Sequence, residues 1–492
     1  MEHVPLRGRA MLFAAMTLLL TACAHTPAKL EHPALRDDVP LAGLQVPVRS
    51  GWPDARWWRH YDDPQLDDLM DRAMQQSPDL AVAQSRVISA EQSARLAAAQ
   101  LGVTVNGSAQ LSRQRLSDYG LIPSRFLGFS WYNQADLGAQ LQYDFDWWGR
   151  KRATMEAALD QAHVAEAQRS AAALALQYAV ADVYFGWQAD QARLQVADRL
   201  LTVRQQSLTI AQLRVRQGVD LQDEIQKARV HLAEAREMRV TLEGSARIRR
   251  VSLATLLGWS AEQLPRLEPR TLPSVDGGVP GDARLDLIAR RPDIVATRWQ
   301  VEAALRKTDA ARAEFFPDFS ISAMAGLSSI DLGRLFTAGS RTFALNPALH
   351  LPIFNSDSLE ANYGVSKAEL EVAVAQYNMT VLTAAREVAT QALTARQVAD
   401  RRQEQQAQVD ADQQLLATAQ ARVDRGVSDA RQSLTAHADL LKQRDAAAQL
   451  QGQAVSADLA LIKALGGGYE SPAAAKKSIP PATAGAADHD HH

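Results

Sequence analysis

Residues 135–145, ADLGAQLQYDF, and the aromatic turn that follows them at 146–150, DWWGR, decide the fold of this chain. Apolar and polar residues alternate strictly along the first stretch, which is the pattern of a strand with one apolar side. After Arg150 the pattern becomes helical and stays so to Gln217, which predicts a helix about 100 Å long. A strand that could face lipid therefore leads directly into a helix several times longer than the usual ~11 to 12 residues.

The N-terminus has the pattern of a secretion signal. Two arginines precede an apolar run at residues 10–20, which is too short to cross a bilayer as a helix. The run leads into LTAC at residues 20–23, which resembles the cleavage site of a bacterial lipoprotein. This resemblance implies cleavage before Cys23, acylation of the Cys23 thiol and, because alanine rather than aspartate follows, sorting to the outer membrane. The alternative is an ordinary signal peptide with an incidental cysteine.

The composition excludes several classes of protein. The 492 residues carry a net charge of -3, so the basic surface that nucleic-acid binding requires is missing. Cys23 is the only cysteine, which excludes an intrachain disulfide and a thiolate metal site. The terminal HDHH at residues 489–492 leaves only a weak metal-binding role open. We expect no metal and no cofactor other than a covalent lipid on Cys23.

The chain is a tandem duplication. The pair Pro-Asp at residues 78–79 recurs at 292–293, and Gly218-Val219 recurs as Gly426-Val427. Constant register over such long spans indicates two copies of one structural unit. The predicted organisation is a signal peptide (1–22), a lipid tether with an equatorial segment (23–65), a first repeat (66–258), a linker (259–282), a second repeat (283–466) and a disordered tail (467–492).

Each repeat contains two predicted strands and a long helical hairpin. The strands are expected at residues 103–112, 135–145, 318–327 and 342–353. The helices are expected at residues 66–76, 79–100, 150–217, 220–257, 358–425 and 428–465. Residues 113–134, between the first two strands, are predicted to form a loop that contains Phe126, Phe129, Trp131 and Tyr132.

The four strands match those of a transmembrane β-barrel in length and in having one apolar side. A barrel must close, because an open edge in lipid leaves backbone polar groups unsatisfied. Four strands cannot close one, so several chains must share it. Two chains would give eight strands and a filled interior, whereas three would give twelve strands and a lumen. A duct requires the trimer.

The long helix carries apolar residues at a spacing of seven. They are Val180, Trp187, Leu194, Leu201, Leu208 and Val215. Such a repeat predicts supercoiled neighbouring helices. The predicted helices 79–100 and 220–257 together have 60 residues, close to the 68 of the long helix, so we expect a tube wall in which each long helix lies beside a stacked pair. A water-soluble coiled-coil bundle is the simpler alternative, but it leaves the lipid-type strands unexplained.

Five segments carry a resemblance to a known family. They are WWRHYDDPQLDDLM (57–70), YDFDWWGRKR (143–152), ARRPDIVATRWQVEAALRKTDAARAEFFPDFS (289–320), LPIFNSDSLEANYGVSKAELEVAVAQYN (351–378) and LIKALGGGYE (461–470). With them the chain resembles the TolC-like outer-membrane factors of tripartite efflux pumps, in their NodT-type lipoprotein branch. The resemblance implies a mainly α-helical chain with a membrane β-barrel. Three chains would form a twelve-stranded barrel in the outer membrane and a long helical tunnel in the periplasm.

The same resemblance implies a passive exit duct for small molecules such as drugs or aromatic compounds. A periplasmic adaptor (membrane fusion) protein joins the duct of such a pump to an inner-membrane transporter, which supplies the energy. In this family the helix turns at the tip of the tunnel contact the adaptor. The matching positions here are Gly218, Val219, Gly426 and Val427.

In the family that this chain resembles, acidic residues on the helix after the second turn often ring the constriction near the tip. The matching positions are Gln432 and Thr435, which are uncharged, so an acidic ring there is in doubt. Asp220, Asp223 and Glu224 near the first turn are the other candidates, since like charges around an axis favour cation entry. The alternative is that these acids only favour the start of a helix.

Two other functions compete with this one. An outlet for secreted proteins would have the same fold and a different transporter. An envelope enzyme would need a catalytic motif, but the sequence has no GxSxG, phosphate loop or HExxH. His163, His231 and His437 lie in predicted helices among polar residues, where we expect them to be solvated. We therefore predict no catalytic residues.

Overall fold

The computed structural model describes residues 27–36, 48–49, 51–119, 123–275, 278–281, 283–352 and 356–470. Cys23, the predicted signal peptide, the end of the fourth predicted strand at residue 353 and the histidine tail lie outside these ranges. The main helices are α1 (Pro64–Gln76), α2 (Pro78–Ala99), α3 (Arg150–Arg216), α4 (Gln222–Leu256), α5 (Ala283–Arg290), α6 (Pro292–Ala313), α7 (Ser356–Asp424) and α8 (Ala430–Ala464). The main strands are β1 (Thr104–Arg115), β2 (Trp131–Phe145), β3 (Asp318–Ser329) and β4 (Arg341–His350). Within these ranges, no helix combines the length and the apolar character needed to cross a membrane.

The four strands form one antiparallel sheet in sequence order. At one end of the sheet Phe145 lies opposite Phe319, and at the other end Arg115 lies opposite Trp131. Because side chains alternate across a strand, this register places apolar residues of all four strands in common rows on one face. One such row consists of Val105, Leu141, Ala323 and Leu345.

The first two strands are longer than the sequence predicted. β1 continues to Arg115, three residues past its predicted end, and β2 begins at Trp131 rather than at residue 135. The predicted strands ended where the alternation of apolar and polar residues ended. Ladder hydrogen bonds join backbone groups, however, so polar residues such as Arg113 and Asn133 pair as well as apolar ones. The loop predicted at residues 113–134 is therefore shorter than expected.

The chain divides into two compact units. The sheet unit comprises residues 27–34, Val87–Val164 and Arg298–Gln376, and it holds all four strands. The helical unit comprises the described residues of Leu35–Arg86, Ala165–Thr297 and the chain from Tyr377 onward. Both hairpin turns that the sequence singled out belong to the helical unit.

An aromatic cluster forms the core of the helical unit. Trp57, Trp58 and Tyr61 are buried against α1 and the middle of α3. The Trp57 indole donates a hydrogen bond to Gln177 (3.2 Å), and both tryptophans are buried packing residues of this core. The Tyr184 hydroxyl donates to Asp63 (2.6 Å), and burial together with this carboxylate raises the pKa of Tyr184.

The heptad positions of α3 lie on its packed side, as the spacing predicted. Val180, Trp187 and Leu208 are buried, and the other three positions are partly buried. Leu200 and Val203 extend this seam against Ala438 and Leu441 of α8. The seven-residue repeat therefore marks contacts between long neighbouring helices.

The two repeats end their helices in the same way. Gly258 after α4 and Gly466 after α8 have left-handed φ angles of 73° and 95°. A Cβ added to Gly258 would lie 3.1 Å from the Gln76 carbonyl oxygen, and one added to Gly466 would overlap the Arg290 carbonyl. The end of α4 therefore meets the start of α2, and the end of α8 meets the start of α6. These contacts agree with the stacked helix pairs inferred from the helix lengths.

Some elements were not predicted. Val48–Arg49 pairs in parallel with Val279–Pro280, in segments expected to be only tether and linker. Gly467 packs against Leu174 and Gly468 against Asp54, although the predicted tail begins at residue 467. These residues were missed because their partners are distant in sequence. The remaining domain boundaries stay predictions.

Candidate functional site: the two hairpin turns

Two glycines shape the turns between the long helices and their return helices. Gly218 and Gly426 have φ angles of 71° and 68°, a region that favours glycine. In each turn the glycine N–H and the next N–H bond back to helix carbonyls, as for Val219 to Arg214 (3.0 Å) and Val427 to Arg422 (2.9 Å). These bonds form the same C-terminal cap in both repeats.

A network of four charged residues joins the two turns. The Arg214 guanidinium holds the Asp220 carboxylate with two hydrogen bonds, of 2.7 and 3.1 Å. Arg214 also lies 3.3 Å from Asp429 of the second turn. Arg431 completes the ring, because it contacts Asp220 at 3.2 Å and Asp429 at 3.0 Å. We call Arg214, Asp220, Asp429 and Arg431 the turn network. It links the first hairpin to the second within one chain.

The turn network shifts the pKa values of its members. The hydrogen bond from Arg214 holds the pKa of Asp220 below its ordinary value and raises the pKa of Arg214. Burial acts to raise the pKa of Asp429, but hydrogen bonds and charge from Arg431, with the charge of Arg214, outweigh burial and lower it. Both carboxylates are therefore ionised at neutral pH, where each can hold two arginines.

The other two acidic candidates have a local partner. Lys227 lies 3.0 Å from Asp223 and 2.7 Å from Glu224, all on the first turns of α4. The hydrogen bond from Lys227 lowers the pKa of Asp223. Neither acid contacts the second hairpin among the described residues. All three acids near the first turn are thus paired with cations, so they are not a set of uncompensated negative charges.

The candidates after the second turn are exposed and separate from the network. Gln432 accepts a hydrogen bond from the Ser428 hydroxyl (2.5 Å), and the Thr435 side chain is exposed. Their role at a constriction stays a prediction.

Apolar side chains project from both turns. Val219 is 58% exposed, Val427 is 76% exposed and Leu221 is 77% exposed. At the repeat offset, Leu221 corresponds to Asp429, whose carboxylate caps α8 by accepting from the Arg431 N–H (2.7 Å). The first turn therefore has an exposed apolar side chain at the position where the second turn has a capping carboxylate.

Of the turn network, only Asp220 was predicted from the sequence as a candidate site residue. Arg214, Asp429 and Arg431 had no periodic signal. Asp220 and Arg431 are 211 positions apart, a distance over which sequence patterns reveal no contact.

The histidines and potential metal ligands of the described residues do not form a rival site. No group of three or more potential metal ligands occurs among the described residues. His163 was expected to be solvated; its side chain is 38% exposed and its ring lies 4.4 Å from that of Trp299, so it is only partly solvated. His231 pairs with Glu234 on its own helix, and burial lowers the pKa of His437.

A family model described as outer membrane efflux protein matches residues 69–259 and 285–467 of this chain. Over 477 residues the chain is 33% identical to the multidrug resistance outer membrane protein MdtP of Escherichia coli (strain K12), which covers 94% of this chain and 96% of that protein.

Two solved structures are also similar. The outer membrane protein VceC of Vibrio cholerae gives a TM-score of 0.75 at 30% identity and covers 85% of this chain and all of that one. The outer-membrane channel OprN gives a TM-score of 0.81 at 25% identity and covers 91% of this chain and 99% of that one.

Proposed function

Because this chain belongs to the outer membrane efflux protein family, whose members are the outer-membrane exit ducts of tripartite pumps, we propose that its cargo is drugs or aromatic small molecules. The name of its relative MdtP, a multidrug resistance protein, favours such cargo over secreted proteins. We further propose that the duct is passive and not an enzyme, and that it has neither metal nor cofactor besides a lipid on Cys23.

The working form that we propose is a homotrimer. One chain supplies four strands, and β1 and β4 are the edges of its sheet. In lipid both edges must pair, because unpaired backbone groups cost several kcal/mol each there. Twelve strands from three chains close the sheet and leave a lumen, whereas eight strands from two chains would fill it with side chains.

The partner surface that we propose is the pair of hairpin turns. Val219, Leu221 and Val427 are exposed apolar residues around two rigid glycine caps, a combination suited to docking another protein. The partner is a periplasmic adaptor that links this duct to an inner-membrane transporter. Beside the docking surface, the turn network would hold the hairpins together until the adaptor engages them.

The observation that carries this proposal is the match of nearly the whole chain to outer-membrane efflux proteins. It is tested by whole-cell accumulation of dyes, antibiotics and aromatic acids, with and without the gene. We expect some compounds to accumulate in the deletion strain and the wild-type gene to restore their export. Restoration should fail with Gly218→Val/Gly426→Val. Normal export by that variant would show that the docking surface lies elsewhere. A panel that never accumulates, in a strain lacking other outlets, would contradict small-molecule cargo.

A further inference from the structure

The end of the sheet remote from the helices is rich in arginine. Loops of 15 and 11 residues, 116–130 and 330–340, connect the strands there. Residues 112–134 and 329–343 contain five arginines against two aspartates, with no lysine or glutamate. The arginines are Arg113, Arg115, Arg125, Arg334 and Arg341. In outer-membrane barrels the longer loops face the cell exterior, which makes this the outer end.

Three of these arginines lie on the apolar face of the sheet. Arg113 and Arg115 alternate in phase with Leu111, and Arg341 lies opposite Leu327. Because side chains alternate across a strand, their guanidinium groups continue the apolar stripe and do not belong to the opposite, polar face. We call Arg113, Arg115 and Arg341 the arginine rim.

The rim lies at the height where lipid headgroups begin. Arg113 is opposite Asn133, which is 12 residues from Phe145 at the other end of β2. This is about 40 Å along the strand, or about 30 Å along the membrane normal for a tilt of ~40°. The hydrocarbon core is about 30 Å thick. Arg341 lies nearer the middle of the membrane than Arg113 does. Its long side chain can extend along the apolar surface toward the headgroups.

The charges of the rim are largely uncompensated. Among the described residues, Arg113 and Arg341 form no ion pair. Arg115 forms a long ion pair, in which its guanidinium lies 3.9 Å from the Asp118 carboxylate. The Arg113 guanidinium lies over the Trp131 ring, 5.5 Å from its centroid. A guanidinium backed by an aromatic ring keeps its donors free for an oxyanion, and its fork matches phosphate geometry.

The helix end of the sheet differs. Several of its charges are paired, as in Lys151 with Asp144 (2.8 Å) and Arg150 with Asp318 (3.6 Å). Aromatic rings dominate there, with Trp148 stacked on Phe316 at 4.4 Å. A requirement for solubility alone would not explain why three arginines of the outer end lie on the apolar face of the sheet.

We propose that the arginine rim binds the phosphate groups of a phosphorylated glycolipid in the outer leaflet of the outer membrane. Trp131 positions Arg113, and the apolar rows below hold the acyl chains of the same lipid. This role goes beyond export, and it does not depend on the cargo or on the adaptor.

The test uses full-length protein purified in a non-ionic detergent at low salt. The affinity of diphosphoryl lipid A is compared with that of monophosphoryl lipid A by native mass spectrometry. We expect the wild type to prefer the diphosphoryl form, and Arg113→Gln/Arg341→Gln to bind it roughly tenfold more weakly, since each arginine near an anionic surface strengthens binding several-fold. Arg113→Lys/Arg341→Lys, which keeps the charge, should retain most of the binding.

Arg86→Gln/Arg95→Gln is the matched control, because it removes two exposed charges from α2 and should leave lipid binding unchanged. The proposal is wrong if the wild type does not distinguish the two lipids, or if the rim variant binds as the wild type does. Inorganic phosphate alone is the third probe. Arginine-dependent stabilisation by phosphate equal to that by the lipid would indicate a site for free anions and overturn the assignment to lipid. Unchanged thermal unfolding without lipid verifies that the variants are folded.

Discussion

The Asp220 carboxylate contacts two guanidinium groups, that of Arg214 in the first hairpin and that of Arg431 in the second. Its pKa is lowered in the folded protein, so the stabilisation it provides is complete above the pKa of the unfolded chain and is lost as pH falls through the lower folded value. The turn network should therefore persist from neutral pH to about pH 5 and weaken below about pH 4.

Asp220→Asn should loosen the contact between the hairpins at neutral pH. The amide cannot hold two arginines by charge, so we expect higher conductance in planar bilayers and a lower melting temperature at pH 7. Both differences from the wild type should shrink only as pH falls below the ordinary aspartate pKa of about 4 and through the lower pKa that Asp220 has in the folded protein. Asp223→Asn is the control, because Asp223 pairs only within α4. Equal effects of the two substitutions would show that the turn network does not couple the hairpins.

Tyr184→Phe should destabilise the helical unit. It removes the hydroxyl that donates to the buried Asp63 carboxylate and accepts from Gln188 (2.9 Å). Leaving such groups unsatisfied costs about 1–3 kcal/mol. Thermal unfolding should show a clear loss of stability, whereas Tyr119→Phe, at a fully exposed position, should change nothing. A melting temperature equal to that of the wild type would show that water replaces the hydroxyl.

Helix boundaries followed from the sequence more closely than strand boundaries did. α3 was predicted at 150–217 and observed at Arg150–Arg216, because the end of a helix has a local signal in its capping glycine. The extra residues of β1 and β2 had no such local signal, because their pairing depends on a partner strand. The glycines of the turns could likewise be predicted, but the Arg431 contacts could not.

The two capping glycines of the second hairpin should respond differently to alanine. Gly426 has open space where a Cβ would be, so Gly426→Ala costs only the left-handed strain, about 1–2 kcal/mol. At Gly466 the added Cβ overlaps the Arg290 backbone, which cannot move without shifting α6. We expect near-normal yields of folded Gly426→Ala and very little folded Gly466→Ala, measured by detergent-resistant assembly. Similar yields would show that the junction of α8 with α6 adapts.

Many large apolar side chains of a single chain remain exposed on the helices. They include Val82, Ile88, Leu96, Val240, Ile248, Val365 and Val372. A trimer would cover such residues. Leu96→Glu/Ile248→Glu should therefore yield monomers by light scattering in detergent, while Tyr119→Glu in an exposed loop should remain trimeric. Trimers of the double variant would place the subunit contacts on other faces.

The N-terminal segment fixes where a lipid anchor can reach. In the sheet unit, Arg312 near the end of α6 donates to the Pro27 carbonyl (2.8 Å), and Tyr363 donates to that of Ala28 (3.3 Å). Cys23 precedes Pro27 by four residues, which span at most about 14 Å. If Cys23 carries the lipid that we propose, the attachment point would lie within about 14 Å of Pro27, on the side of the sheet unit that holds Arg312 and Phe316.

Cys23→Ser should abolish incorporation of labelled palmitate and retain the uncleaved signal, because the thiol is the acceptor. The Pro27 and Ala28 contacts do not involve the lipid, so the sheet unit should fold and its thermal stability should stay unchanged. Ala24→Ser, which keeps the cysteine, should be labelled as the wild type is. Label retained by Cys23→Ser would show that the lipid is elsewhere. If Cys23→Ser lost much stability but kept the label, Cys23 would be a structural residue. The distance between Cys23 and Pro27 would then say nothing about where the protein is anchored.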